Sequence, residues 1–319
     1  MIQLLYLDCE IYLRGMCHEL GRVRRDLAEL QRDALLCNAP EDLATQGYRQ
    51  NCSIGPGDSL QSLAAGTLGC LLKQCPAPRA LVFHHSYPES TCVSAEKPEP
   101  GFMSRVQYFP PSLMRQFKLD NMPYLVSFGS GCTGLLTMLM MATGLCRKNS
   151  ESGNPILCLT ADVKPPGTTF DASREKILTS DCSSGFLVGF EKRGYRLLGV
   201  SYYSTTRQIV PLVQIVKQSV KMIRELAKET AIELSAGGVV LHYPNVFPAA
   251  WQMVTQYLQV PKANHLLDGL PERAHCKSSD SVISLGHAHG GGAGRVHIVL
   301  NFGAGIHLGA CILKEEVLP

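Results

Sequence analysis

The stretch NMPYLVSFGSGCTGLLTMLMMATGLC, from Asn121 to Cys146, decides how this chain is read. Residues 123–128 have the apolar character of a buried β-strand, and Gly129-Ser130-Gly131 break it with residues that tolerate a sharp turn. Residues 133–145 then run without a charge, too short to span a bilayer and suited to a helix buried inside a domain. Cys132 therefore opens that helix, where unpaired N–H groups and aligned peptide dipoles favour a nucleophilic thiolate. A single cysteine is more often a small core residue, but strand, tight turn and nucleophile at the head of a buried helix form a recurrent catalytic arrangement.

The rest of the chain gives this stretch a setting. At 319 residues and 45% hydrophobic composition there is enough apolar material for one large domain or two ordinary ones. A net charge of +3, without a basic block, gives no reason to expect nucleic acid. The 13 cysteines are odd in number and lack a CxxC pair, so neither a disulfide scaffold nor a metal site is indicated, and a reducing cytoplasm is expected. Acidic residues come too early for a signal peptide, and no apolar run reaches the roughly 18 residues that a membrane span needs.

Before the nucleophile turn, the pattern predicts strands over 2–9 and 80–85, an amphipathic helix over 22–36, and a helix over 59–73 capped by Asp58. His84 and His85 point to opposite faces of their strand and cannot share a metal. Residues 88–107 shift to Pro, Ser, Glu and Lys and read as an inserted loop. After it, strands are expected over 156–160 and 185–190, on either side of a polar loop with Asp171 and Asp181. Then the alternation restarts: strand 195–203, helix 209–228, a strand ending at His242, helix 247–258, a short strand near 265–268, and closing strands over 296–300 and 306–313. Two successive α/β sets suggest a duplicated unit, with halves 1–193 and 194–319.

Four stretches, in order, are similar to the thiolase-fold condensing enzymes, most closely the ketoacyl synthase III group. SGCTG at 130–134 resembles the nucleophile turn, with Cys132 as the acylated residue. FDASREKILTSDCSSGFLVGF at 170–190 resembles the Asp-rich loop and following strand, and LHYPN at 241–245 the histidine motif, with His242 catalytic and Asn245 closing it. NFGAGIHLG at 301–309 resembles the glycine-rich turn, in which Phe302, Gly303 and Gly305 line the substrate. The resemblance implies an α/β, thiolase-like fold of duplicated βαβαβαββ halves in a five-layer αβαβα arrangement. It implies an acyltransferase or condensing enzyme acting on acyl thioesters without a bound cofactor, with the backbone N–H groups of Cys132 and Ala304 as oxyanion hole. It further implies a homodimer, or a heterodimer with a paralogue, and admits an acyl carrier protein as partner.

The departures shape the expected chemistry. Lys277 falls where an asparagine is expected to help decarboxylate a malonyl thioester, and a lysine is a flexible point charge rather than a shaped amide donor. Transfer of an acyl group, in specialised metabolism, is therefore expected over decarboxylative condensation, with Lys277 orienting the acceptor and His275 as a second polar group beside it. Phe247 and Pro166 stand where carrier-binding arginines are common. The Gly/His-rich run at 285–297 reads as a loop at the site's mouth, and its histidines as no metal site. The other reading is a non-catalytic subunit that keeps the fold and assembles with an active paralogue.

Overall fold

The computed structural model describes residues 1–87, 90, 92–94, 106–147, 153–206, 210–303 and 307–316. The first half holds strands β1 (Tyr12–Leu20), β2 (Ala80–His84), β3 (Tyr124–Ser127), β4 (Ile156–Asp162) and β5 (Cys182–Gly189), with helices α1 (Leu60–Gln74), α2 (Phe109–Gln116) and α3 (Gly134–Arg147). The second holds β6 (Gly194–Ser204), β7 (Val239–His242), β8 (His265–Leu266), β9 (Val296–Gly303) and β10 (His307–Glu316), with α4 (Leu212–Glu229), α5 (Pro248–Leu258) and α6 (Asp280–Ala288).

Strand order exposes the duplication. The first half runs β1-β5-β4-β2-β3 and the second β6-β10-β9-β7-β8, the same order with each index raised by five. The halves join where β1 meets β6 antiparallel, Leu13 opposite Tyr195 and Tyr12 opposite Arg196. A short strand, Ile2–Leu5, adds to β6 as well. The expected division after residue 193 falls in the turn between β5 and β6.

Apolar burial sorts the helices into layers. Leu135, Leu136, Met138 and Leu139 of α3, with Val282 and Leu285 of α6, pack against Cys158 and Val188 of one half-sheet and Val200, Val299 and Leu313 of the other. The outer faces are closed by α1 and α2 on the first half and by α4 and α5 on the second. This is the five-layer arrangement. Its consequence for the site is that α3 and α6, equivalent helices of the two halves, share the central layer, so their N-termini can meet.

Several local expectations are corrected. β3 is not a buried strand: it is last in the strand order, and Tyr124, Leu125 and Phe128 are exposed. β1 went unread, because its sequence YLRGMCHEL mixes polar and apolar residues with no clean alternation. Residues 22–36 form a strand, Val23–Asp26, and a helix of six residues, Leu27–Arg32, because the strand pairs with Gln50–Ser53. The cap of α1 is Ser59, whose Oγ accepts from the Ser62 N–H while Ser62 Oγ accepts in return from the Ser59 N–H. Asp58 instead braces the preceding turn by accepting from the Gly55 N–H. Helix α6 continues to Ala288, into the run read as loop. Cys17 of β1 and Cys70 of α1 form a disulfide that spacing did not indicate. The inserted loop at 88–107 lies mostly outside the described residues.

Candidate active site

The nucleophile turn is built as its sequence requires. Gly129 and Gly131 take φ of +83° and +53°, left-handed conformations that glycine adopts without the Cβ penalty. A one-turn 3-10 segment, Gly131–Thr133, carries half-buried Cys132 into α3. Gly134 is glycine for a different reason: a Cβ there would lie 2.2 Å from the His84 ring and 2.5 Å from Ser278 Oγ.

Those two residues hold the turn from one side. The Gly131 carbonyl accepts from His84 Nε2 at 2.9 Å and from Ser278 Oγ at 3.2 Å, while Ser278 Oγ accepts from the Gly134 N–H. Because a carbonyl only accepts, His84 carries its proton on Nε2, and its Nδ1 accepts from Ser127 Oγ at 2.9 Å. Burial lowers the His84 pKa and keeps the ring neutral in this role. On the other side, Tyr202 lies 3.4 Å from Thr133 Oγ1 and hydrogen-bonds His307.

The group that reaches the sulfur is His275. Its Nε2 lies 3.3 Å from Cys132 Sγ, and its Nδ1 lies 2.5 Å from Asp280 Oδ2. Asp280 begins α6, and its carboxylate also accepts from Arg273 Nη1, the Cys276 N–H and the Asn245 N–H. Four donors around one fully buried carboxylate leave it a single orientation. Burial opposes ionisation of Asp280, but His275 and Arg273 prevail and hold its pKa down at about 2. Burial likewise opposes charge on His275, yet Asp280 and the Cys132 sulfur push it up to about 10. Sulfur, imidazole and carboxylate thus form a line in which proton position is set by charge on either side.

The other sequence-derived site residues lie elsewhere or act at one remove. His242 closes β7 as expected but does not turn to the sulfur: its Nδ1 meets Ser284 Oγ at 2.7 Å and its Nε2 meets His297 Nδ1 at 2.9 Å. Lys277 is fully buried and donates to the Ser180 carbonyl at 2.6 Å, with its ammonium 5.0 Å from the Tyr87 ring centre. Asn245 donates to the backbone carbonyls of Asp268 and Ala274, both at 2.9 Å, so it braces the segment bearing His275. Phe302 packs edge-on against Phe247. Gly303 does border the nucleophile turn, since a Cβ there would lie 2.4 Å from the Ser130 carbonyl. Ala304 and Gly305 lie outside the described residues. His287 pairs with Asp268 and His289 with Glu315, and no group of His, Cys, Asp and Glu among the described residues is arranged to hold a metal.

Asp280 escaped the sequence reading altogether. The available signal was position: in HCKSSD an acid sits five residues after a histidine, at the start of the helix that duplicates α3.

No family model and no curated protein sequence matches the chain. Solved structures do. The 3-oxoacyl-[acyl-carrier-protein] synthase III of Aquifex aeolicus VF5 superposes with a TM-score of 0.74 at 13% identity, over 95% of this chain and 99% of that one. The fold is that of the ketoacyl synthases III. The same thiolase-like architecture relates the chain to ChlB3, an acyltransferase, with TM-score 0.75, 15% identity and coverage of 97% and 98%. A fungal type III polyketide synthase, ORAS, matches with TM-score 0.71 and 15% identity over 96% of this chain and 100% of that one. No helix among the described residues is long and apolar enough to cross a membrane.

Proposed function

We propose that this chain is a cysteine-dependent acyltransferase acting on acyl thioesters. The observation that carries the reading is the contact of Cys132 Sγ with His275 Nε2, backed by Asp280 on the far ring nitrogen. An imidazole between a thiol and a buried carboxylate moves one proton to and from sulfur without changing its own position.

In the first step the Cys132 thiolate attacks the thioester carbonyl, the new C–S bond forms, and the donor thiolate leaves with a proton from the His275 imidazolium. In the second, an acceptor hydroxyl or amine gives its proton to neutral His275 as it attacks, and Cys132 departs as thiolate. The Cys132 and Ala304 backbone N–H groups are the oxyanion donors that the resemblance implies for both steps. No cofactor is needed, because thiol, imidazole and thioester supply every bond and proton. The donor is a coenzyme A or carrier-protein thioester. Transfer is favoured over decarboxylative condensation because Lys277 and His242 are engaged away from the sulfur. The same reading has an enzyme of specialised metabolism.

A second copy of the chain is assigned to the outer edge of β3, which pairs with no further strand among the described residues and where Tyr124 and Leu125, with Phe128 just beyond, are exposed. Light scattering that gives a monomer mass would remove this part of the reading.

Intact-mass detection of an acyl adduct, after incubation with acyl-coenzyme A esters from acetyl to palmitoyl, tests the enzyme assignment. The expected result is one adduct, lost in Cys132→Ala. No adduct with any ester, or one that persists in the variant, would sink it.

A further inference from the structure

The segment that delivers His275 is strained at both ends. Ala274 has φ +47° and ψ −151°, and Lys277 has φ +54°, conformations that a residue with a Cβ rarely adopts. Such a backbone persists only where its surroundings hold it. Between these residues the chain runs parallel to 178–180: the His275 N–H donates to the Leu178 carbonyl and the Ser180 N–H to the His275 carbonyl, both at 3.0 Å. In a regular parallel ladder the next bond would run from the residue 277 N–H to the Ser180 carbonyl. Here the left-handed turn at Lys277 swings the backbone away to begin α6, and the lysine's own ammonium takes that carbonyl, at 2.6 Å.

The same ammonium is fully buried, has no carboxylate within ion-pair distance among the described residues, and faces the Tyr87 ring at 5.0 Å. Burial opposes its charge, and Tyr87, Cys182, Asp181 and Asp162 together outweigh it and sustain that charge. Tyr87 in turn is close enough to feel the Cys132 sulfur: burial raises the phenol's pKa, Lys277 opposes this and charge on Cys132 adds to it. Immediately beyond Lys277, Ser278 bonds the Gly131 carbonyl and the Gly134 N–H. One anchor thus sits between His275, which meets the Cys132 sulfur, and Ser278, which grips the turn before it.

We infer that Lys277 is a positioning residue: its ammonium, standing in for a missing ladder bond, fixes the turn that sets His275 against Cys132. It touches neither substrate nor reacting atoms. Its role differs from orienting an acceptor, because its donors point to Ser180 and Tyr87.

The test reads the thiolate directly and needs no acyl substrate, so it stands or falls apart from the acyltransferase reading. The rate of Cys132 alkylation by iodoacetamide is followed against pH in the full chain, with Cys132→Ala correcting for other cysteines. Lys277→Met removes both the bond and the charge; Lys277→Gln retains a donor without the charge. We expect Lys277→Met to slow alkylation at pH 7 about tenfold and, by loosening His275 from the sulfur, to move the pH midpoint upward, and Lys277→Gln, which can still donate to the Ser180 carbonyl, to recover part of both. Folded variants whose profiles superpose on the parent's would overturn the inference. Failure of both variants to fold would assign the ammonium to the fold rather than the site, and would overturn it equally.

Discussion

Two buried histidines, His275 and His242, show how far side-chain surroundings outweigh burial. Both belong to the second half, both are buried, and both use both ring nitrogens. His275 lies between a carboxylate and a thiol, which reward positive charge, and its pKa rises to about 10. His242 lies between a hydroxyl and a second imidazole, and with burial, His297 and Arg295 all opposing charge, its pKa falls well below the ordinary value. One ring is built to carry a proton at neutral pH and the other to remain neutral.

Proton directions around His242 can be assigned. His297 Nε2 faces Glu315 Oε2 at 3.4 Å, and a carboxylate oxygen accepts, so His297 holds its proton there. Its Nδ1 then accepts from His242 Nε2–H, and His242 Nδ1 accepts from the Ser284 hydroxyl. This chain of hydrogen bonds braces β7, β9, β10 and α6 against one another, which is a structural task.

The sharpest way to break the contrast is to remove each ring. His275→Ala is expected to lower the rate of Cys132 acylation by 10³-fold or more, on the order of losing a triad base. His242→Ala should leave acylation within a few-fold, while costing about 2–3 kcal/mol of stability for the unpaired partners left behind. Stopped-flow acylation and urea titration of both variants decide it, and equal losses of acylation would erase the distinction. Asp280→Asn should follow, with acylation reduced on the order of 10²–10⁴-fold, since the amide can hold His275 in the wrong tautomer and cannot sustain its charge. A near-normal rate would make the carboxylate dispensable.

Acidity should separate the two regions again. Burial, against the pull of Glu315, lowers His297 to about 4, so the unfolded chain, with histidine near 6.5, binds the proton more readily. The stability contributed by His297 and His242 is complete above about pH 6.5 and is lost as pH falls toward 4. His275 has the opposite sign: its contribution is complete below about 6.5 and is lost as pH rises through about 10. Urea midpoints from pH 4.5 to 10 should therefore fall at both ends, with His297→Asn flattening the acid limb and His275→Ala the alkaline one. Smallest of all, Ser59→Ala should cost about 1 kcal/mol through the α1 cap, with acylation unchanged.

Much of the site was legible because it is local. A strand, three residues of turn, a thiol and an uncharged helix lie within 26 residues, and their order alone placed Cys132 at the head of α3. The repeated alternation of strands and helices was legible for the same reason, since each half writes its pattern along contiguous chain. What the motif at 241–245 could not show was the direction of a ring. His242 ends its strand where expected, but Ser284 and His297, 42 and 55 residues away, decide where its nitrogens point.

The sequence by itself determined the class of fold and the placement of Cys132 at the head of a buried helix, because hydrophobic periodicity and turn chemistry act over a few residues. Only tertiary structure decided which imidazole meets its sulfur. Packing α3 and α6 into one layer brings residue 132 within 3.3 Å of residue 275, across 143 positions of chain, and the pull of Asp280 on that imidazole exists only once the helices have met.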